Sequence, residues 1–258
     1  MIKPFLTISL FTIVFSVTAQ IEKIDTDRPD QTESPFIVPK KWLQAEMGFL
    51  QQTDTYYSKY RDIFYQHPGL LTKYGLARCV ELRLITDAGT IKEEAINSNT
   101  IKSGITNVQL GGKVNFVDQK GIRPKTSLIA HYSFNGLRTL YKDSINGANF
   151  RITMSHSLSN LLSISYNVGM DWDRFGDPPA YIYTLSPGFN ISEKWYAYIE
   201  LFGFIWKNES PENSIDGGLA YFINDNFKID VSAGFGLNKA APDNYFSVGA
   251  SFRFNTSK

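Results

Sequence analysis

Asn244-Tyr245-Phe246-Ser247-Val248-Gly249-Ala250-Ser251-Phe252-Arg253-Phe254 decides how this chain folds. Successive side chains of a strand point to opposite faces, so each face is read at a spacing of two. One face then carries Phe246, Val248, Ala250, Phe252 and Phe254, and the other Ser247, Gly249, Ser251 and Arg253. The stretch before it repeats the division. Phe227, Ile229, Val231, Ala233, Phe235 and Leu237 alternate with Lys228, Asp230, Ser232, Gly234, Gly236 and Asn238. A face of long apolar residues without charge, backed by a polar face and repeated around a closed sheet, is what a β-barrel in lipid requires.

Upstream, the same reading gives strands near 42–53, 62–74, 76–87, 104–117, 122–134, 147–158, 161–172, 179–190, 195–206 and 213–223, followed by 226–238 and 244–255. Short connections at Tyr74–Leu76, Asp118–Gly121, Leu158–Leu161, Ile191–Lys194 and Ile223–Asn226 alternate with longer, polar ones. The longer set is Thr53–Arg61, Ala88–Ser103, Asn135–Gly147, Asp173–Pro179, Lys207–Asn213 and Asn238–Asn244. Short periplasmic turns, long outer loops and an even strand count characterise bacterial outer-membrane barrels. The expected fold is all-β: a transmembrane antiparallel up-and-down β-barrel of about twelve strands with both ends in the periplasm. A secreted soluble sandwich or lipocalin-like barrel is the competing architecture, but so large an apolar exterior does not survive on a monomeric soluble surface. Trp42, Trp172, Trp195 and Trp206 all fall at strand ends, where a membrane interface places them.

The first residues carry Lys3, an apolar run from Pro4 to Phe15, and Val17-Thr18-Ala19 before Gln20. A cationic start, a short apolar stretch and a small-x-Ala end describe a cleaved secretory signal peptide over residues 1–19. Residues 20–41 then form a polar lead-in on the periplasmic side, and residues 42–258 the outer-membrane barrel. Mean hydropathy of −0.21 fits a barrel, because only every second residue meets lipid. Aromatic residues make up 14 %, which suits interface girdles. A net charge of +1 gives no electrostatic case for a nucleic-acid partner. Cys79 is the only cysteine, which excludes an intramolecular disulfide framework. No metal-ligand cluster and no phosphate-binding glycine loop stands out, so no cofactor is expected.

Alternation directs Glu46, Glu81, Arg83, Lys113, Lys125, Arg151, Asp171, Glu200, Asp216, Lys228, Asp230 and Arg253 inward. Acids and bases are nearly matched, and a lumen of mixed sign does not strongly select an ion. Two arrangements stay open: a paired network that fills a narrow barrel, or the lining of a water-filled path. Small residues such as Gly48, Gly111, Gly169, Gly218, Gly234 and Gly249 share these inner faces. Glycine within a strand marks a bend or close approach by another backbone. That backbone could be the lead-in, with Asp27, Arg28, Asp30 and Glu33 pairing as a plug with Arg83, Arg151 and Glu200; the alternative is a disordered periplasmic tail.

His131 and Ser133 share a strand face, which could bring a base beside a nucleophile. The pair resembles that of outer-membrane phospholipases, but those enzymes carry it toward lipid, where this chain has Leu128, Ala130, Tyr132 and Phe134. No third residue to orient the histidine is identifiable. Catalysis is therefore not expected.

Thr26-Asp27-Arg28-Pro29-Asp30-Gln31-Thr32-Glu33-Ser34-Pro35, then Val38-Pro39-Lys40 and Trp42-x-Gln44-x-Glu46-x-Gly48, resembles the meta-pathway phenol-degradation (MetA) family of exported transporter proteins. Tyr74-Gly75-Leu76 with Glu81-Leu82-Arg83, and Asn107-Val108-x-Leu110-Gly111, add to the likeness. The resemblance implies a porin-like barrel of a Gram-negative-type outer membrane that moves hydrophobic or aromatic compounds. The expected protein is a monomer in outer-membrane lipid that passes a small-molecule solute by passive or facilitated diffusion. Its alternatives are a structural or adhesive barrel without transport, and an outer-membrane lipid hydrolase.

Overall fold

The structure, a computed structural model, describes residues 23–56, 60–96, 98–141, 145–172 and 178–257. The expected signal peptide lies outside them. Twelve strands close into one antiparallel barrel, each hydrogen-bonded to its neighbours in chain order, with the first paired to the last. They are β1 (Trp42–Tyr56), β2 (Tyr60–Ala77), β3 (Val80–Ala95), β4 (Ser98–Val117), β5 (Lys125–Ser133) and β6 (Gly147–Ser157), then β7 (Leu162–Trp172), β8 (Ala180–Asn190), β9 (Trp195–Ile205), β10 (Glu212–Asn224), β11 (Phe227–Gly236) and β12 (Asn244–Asn255). Closure leaves no strand edge unpaired, which a sheet in lipid needs because hydrocarbon offers no hydrogen bonds.

The pleat sorts the side chains as the sequence suggests. On β11, Ile229, Val231 and Phe235 are exposed on the outside, while Lys228, Asp230 and Ser232 are buried within. Leu82 and Leu84 on β3, Leu110 and Val114 on β4, Ile199 and Leu201 on β9, and Phe246 and Phe252 on β12 extend this outer apolar surface. The largest fully buried side chains are instead led by Arg83, Lys73 and Lys113. A protein that exposes leucine and buries arginine and lysine has hydrocarbon outside and polar groups inside.

The turn end of the barrel is where β1 begins and β12 finishes, Trp42 being paired with Asn255; the opposite rim is the loop end. Four strands, β1 to β4, run further than the periodicity predicts, β1 reaching Tyr56. β2 continues to Ala77, so the turn expected at 74–76 falls after it, and the expected loop 88–103 is largely the ends of β3 and β4. There Lys102 Nζ lies 2.9 Å from Glu93 Oε1 across the hairpin, with Lys92 paired to Glu94. Where the hairpin carries such exposed charge pairs, the outer face no longer needs to be apolar, and the alternation that marks a strand fades. β5 starts later than expected, at Lys125.

Candidate functional site: the lumen and residues 23–41

Residues 23–41 run within the barrel, where they form no strand ladder beyond a single parallel bridge from Lys40 to Gly75. Three prolines, Pro29, Pro35 and Pro39, suit such an irregular path. Backbone groups enclosed without a ladder must find other partners. Here the barrel wall supplies many of them: carboxylates accept from the segment's N–H groups, while cations and the neutral Ser127 and Gln44 donate to its carbonyls. Glu46 Oε2 accepts from the Asp27 and Arg28 amides at 2.9 and 3.1 Å. Glu200 Oε2 accepts from Gln31 N–H at 2.6 Å, and Glu81 Oε2 from Val38 N–H at 2.9 Å. In the other direction, Lys228 Nζ donates to the Arg28 carbonyl (2.7 Å), Arg151 Nη1 to that of Gln31 (2.9 Å), and Lys113 Nζ to that of Phe36 (3.2 Å). Asn167 does both, accepting from Glu33 N–H at 2.7 Å and donating to the Glu33 carbonyl at 3.0 Å.

Side chains form a second layer of contacts. Asp27 sits among three cations, with Lys73 Nζ at 2.9 Å, Arg83 Nη1 at 2.8 Å and Lys113 Nζ at 3.3 Å. Burial pushes its carboxyl up, but Lys113, Lys73 and Arg83 together hold it well below the usual carboxylate range. Glu33 reaches Arg83 Nη2 at 2.7 Å and Arg151 Nε at 3.8 Å. Despite burial, these two arginines keep its carboxyl low. On the wall, Arg83 also meets Glu81 at 2.9 Å, and Lys73 meets Glu46. Buried charges are tolerable when paired and hydrogen-bonded in this way.

Asp30 has a different setting. Its carboxylate accepts a hydrogen bond from the Ser186 hydroxyl at 3.1 Å and feels Lys228, but Asp216 adds like charge. Burial is the largest influence, and the carboxyl is pushed up to about 7. Among the described residues, Glu200 has no basic partner of the kind the sequence suggests; besides Gln31 N–H it accepts from the Thr32 hydroxyl.

The remaining inward residues divide by height. Asp230 binds Arg28, and Asp216 accepts from Tyr245 Oη. Arg253 lies at the turn end, donating from Nε to Asn226 Oδ1 at 2.9 Å and resting over the Trp42 ring. Lys125 pairs with Asp118 at 2.7 Å in the turn before β5. Asp171 faces Asn149 and Ala180 near the loop end of β7, above the ion cluster. His131 is enclosed, its Nε2 accepting from Arg83 Nε at 3.0 Å and its Nδ1 lying 3.0 Å from Asn149 Oδ1. Both ring nitrogens are thus engaged, and neither is directed at Ser133.

Two groups central to the site escape a reading by ionic residues and alternation. Lys73 is hidden because apolar Leu70 and Leu71 are adjacent in β2 and a register shift between Gln66 and Gly69 interrupts its phase. Asn167 sits in phase with Ser165 and Gly169 on β7, so its face is legible, but an uncharged amide does not stand out.

Two cavities flank the segment. One of about 710 Å³ opens toward the turn end, where Ser155, Ser163, Ser165 and Tyr196 face Asp30 and Thr32. Another of about 290 Å³ lies toward the loop end above Gln31.

A closed lipid-facing barrel with a polar, internally occupied lumen defines an outer-membrane β-barrel protein. The chain belongs to the family described as "Putative MetA-pathway of phenol degradation", whose model matches residues 26–254. The match thus includes most of the internal segment as well as the barrel. Comparison with curated protein sequences gives no match. Among solved structures, an outer-membrane channel from Pseudomonas putida F1 is similar with a TM-score of 0.66 at 11 % identity, over 84 % of this chain and 97 % of that one. The translocator domain of the autotransporter NalP from Neisseria meningitidis aligns with a TM-score of 0.52 at 11 % identity, covering 83 % and 88 % of the two chains. The CymD monoaromatic hydrocarbon channel gives 0.51 at 11 % identity, covering 84 % and 89 %. At such identity these likenesses concern the fold.

Proposed function

We propose that the protein is an outer-membrane channel for passive or facilitated diffusion of small hydrophobic or aromatic solutes, with residues 23–41 as its internal plug. The observation that carries this reading is the position of that segment between two cavities within one closed wall. A solute crossing the barrel must pass it. Because wall side chains, not a strand ladder, satisfy the segment's backbone, it can shift without opening the barrel. Asp27, Arg28, Asp30 and Glu33 fasten the plug; Glu46, Glu81, Arg83, Lys113, Arg151, Glu200 and Asp230 receive it, and Asp171, Asp216 and Arg253 line the path beyond. The solute class is supported by the family's description and by the name of the CymD channel. A single chain suffices, since the closed sheet leaves no edge for a partner.

The test is flux into liposomes carrying the purified protein, with phenol, toluene and a panel of sugars outside. Faster entry of the aromatic compounds than in protein-free liposomes supports the reading. Absence of any protein-dependent flux, with residues 22–36 present or deleted, would favour a barrel without transport.

A further inference from the structure

The loop-end cavity departs from the rule that the lumen is polar. Leu50 on β1 follows Glu46 and Gly48 on the inner face, and Phe202 and Phe204 follow Tyr198 and Glu200 on that of β9. Under strict alternation these positions would carry polar groups. Instead the three apolar side chains line one recess of about 290 Å³ with Tyr245, Gln52 and Ser214. Gln31 of the internal segment also lines it, so an occupant would rest directly on the plug. Gly234, opposite Tyr245 in the β11–β12 register, leaves room for the tyrosine ring against the wall. Apolar walls with a few convergent polar groups are the usual character of small-molecule sites. An apolar cavity of about 150 Å³ accommodates benzene, so this recess suits one or two rings.

Resting on the channel reading, we propose that this recess is a binding site for a one- or two-ring compound bearing a single hydrogen-bonding group. The ring packs against Leu50, Phe202 and Phe204. The polar group is met by Gln31, Gln52 or Ser214. Solute is thereby held at the loop end in contact with the plug before passage. The ionic cluster below provides no such apolar surface, and the turn-end cavity, which Ile24, Phe36, Leu161 and Phe222 also line, is at about 710 Å³ too wide to enclose one or two rings closely.

The probe is 4-fluorophenol, followed by fluorine NMR line broadening on the full mature chain in nanodiscs, with empty nanodiscs correcting for partition into lipid. Saturable broadening is expected, with affinity at least tenfold weaker in Phe202→Gln and again in Ser214→Phe, which fills the recess. Fluorobenzene is expected to bind at least threefold more weakly than 4-fluorophenol. Heat-modifiable gel mobility verifies that each variant forms a barrel. Absence of saturable broadening, or equal broadening in the wild type and both folded variants, overturns the site. The two proposals fail separately: flux without saturable binding removes this site but keeps the channel, and binding without flux does the reverse.

Discussion

Arg28 Nη2 lies 3.0 Å from Asp230 Oδ1, joining the internal segment to the inner face of β11. The same nitrogen donates to Ser247 Oγ at 2.9 Å. The guanidinium has room because Gly48 and Gly249, directly opposed in the β1–β12 pair, present no side chain; a Cβ on either would collide with it. Gly249→Leu should therefore displace Arg28 and leave Asp230 enclosed without this partner. Hydrogen bonds to charged groups contribute about 1.5–3 kcal/mol each. Faster amide hydrogen exchange over residues 24–36 is expected, with β5–β8 unaffected. Unchanged exchange would show that Arg28 does not anchor the segment.

Lys73 meets both Asp27 and Glu46 from β2. Removing one member of a buried ion cluster leaves the others uncompensated, at a cost of about 3–5 kcal/mol. Lys73→Met should lower barrel stability by that order in urea titrations, and Lys73→Met with Glu46→Gln should cost less than the two single changes summed. Strict additivity would mean that the pair is not energetically coupled.

Asp30 gives the internal segment a pH dependence. Its carboxyl stands at about 7 against an ordinary 3.8. A raised carboxyl pKa means that the docked state favours the protonated form, so its contribution is full below about pH 4 and is lost as pH rises through 7. Lys228 from β11 opposes the shift, while Asp216 from β10 adds negative charge nearby. Asp27 and Glu33 are shifted down, so their contributions fade only at acid pH, below their ordinary values. Exchange over residues 24–36 should thus be faster at pH 8 than at pH 5.5 after correction for intrinsic rates, and Asp30→Asn should reduce that difference. An equal difference in the variant would assign the dependence to other groups.

Val231 lies outward near the middle of β11. An arginine at the lipid-facing midplane costs about 2–4 kcal/mol. Val231→Arg should destabilise the barrel in phospholipid vesicles by that amount, whereas Lys194→Arg in an exposed turn should change little. Equal effects would contradict a hydrocarbon exterior.

What the sequence discloses follows from where two environments meet. β11 and β12 have lipid on one side and polar groups on the other along nearly their whole length, so alternation alone locates them. β3 and β4 lose that contrast in their charged outer hairpin, and their extension past residue 88 is correspondingly illegible. The inner glycines are visible as a class, but their uses differ. Gly48 and Gly249 seat Arg28, and Gly75 passes the backbone at Val38 and Pro39. Gly218 and Gly234 instead accommodate Tyr198 and Tyr245 from adjacent strands. No local pattern distinguishes these roles, because each depends on a residue distant in sequence. The same holds for Glu200, whose charge is evident but whose partners, an amide and a hydroxyl, carry no complementary charge.

Residues 23–41 stand across the passage through the barrel, and their removal should open it. Single-channel conductance in planar lipid bilayers tests it most directly, comparing the mature chain with one lacking residues 22–36. Conductance should be several-fold higher in the shortened protein, with the folded barrel retained. Identical conductance in the two folded proteins would contradict it.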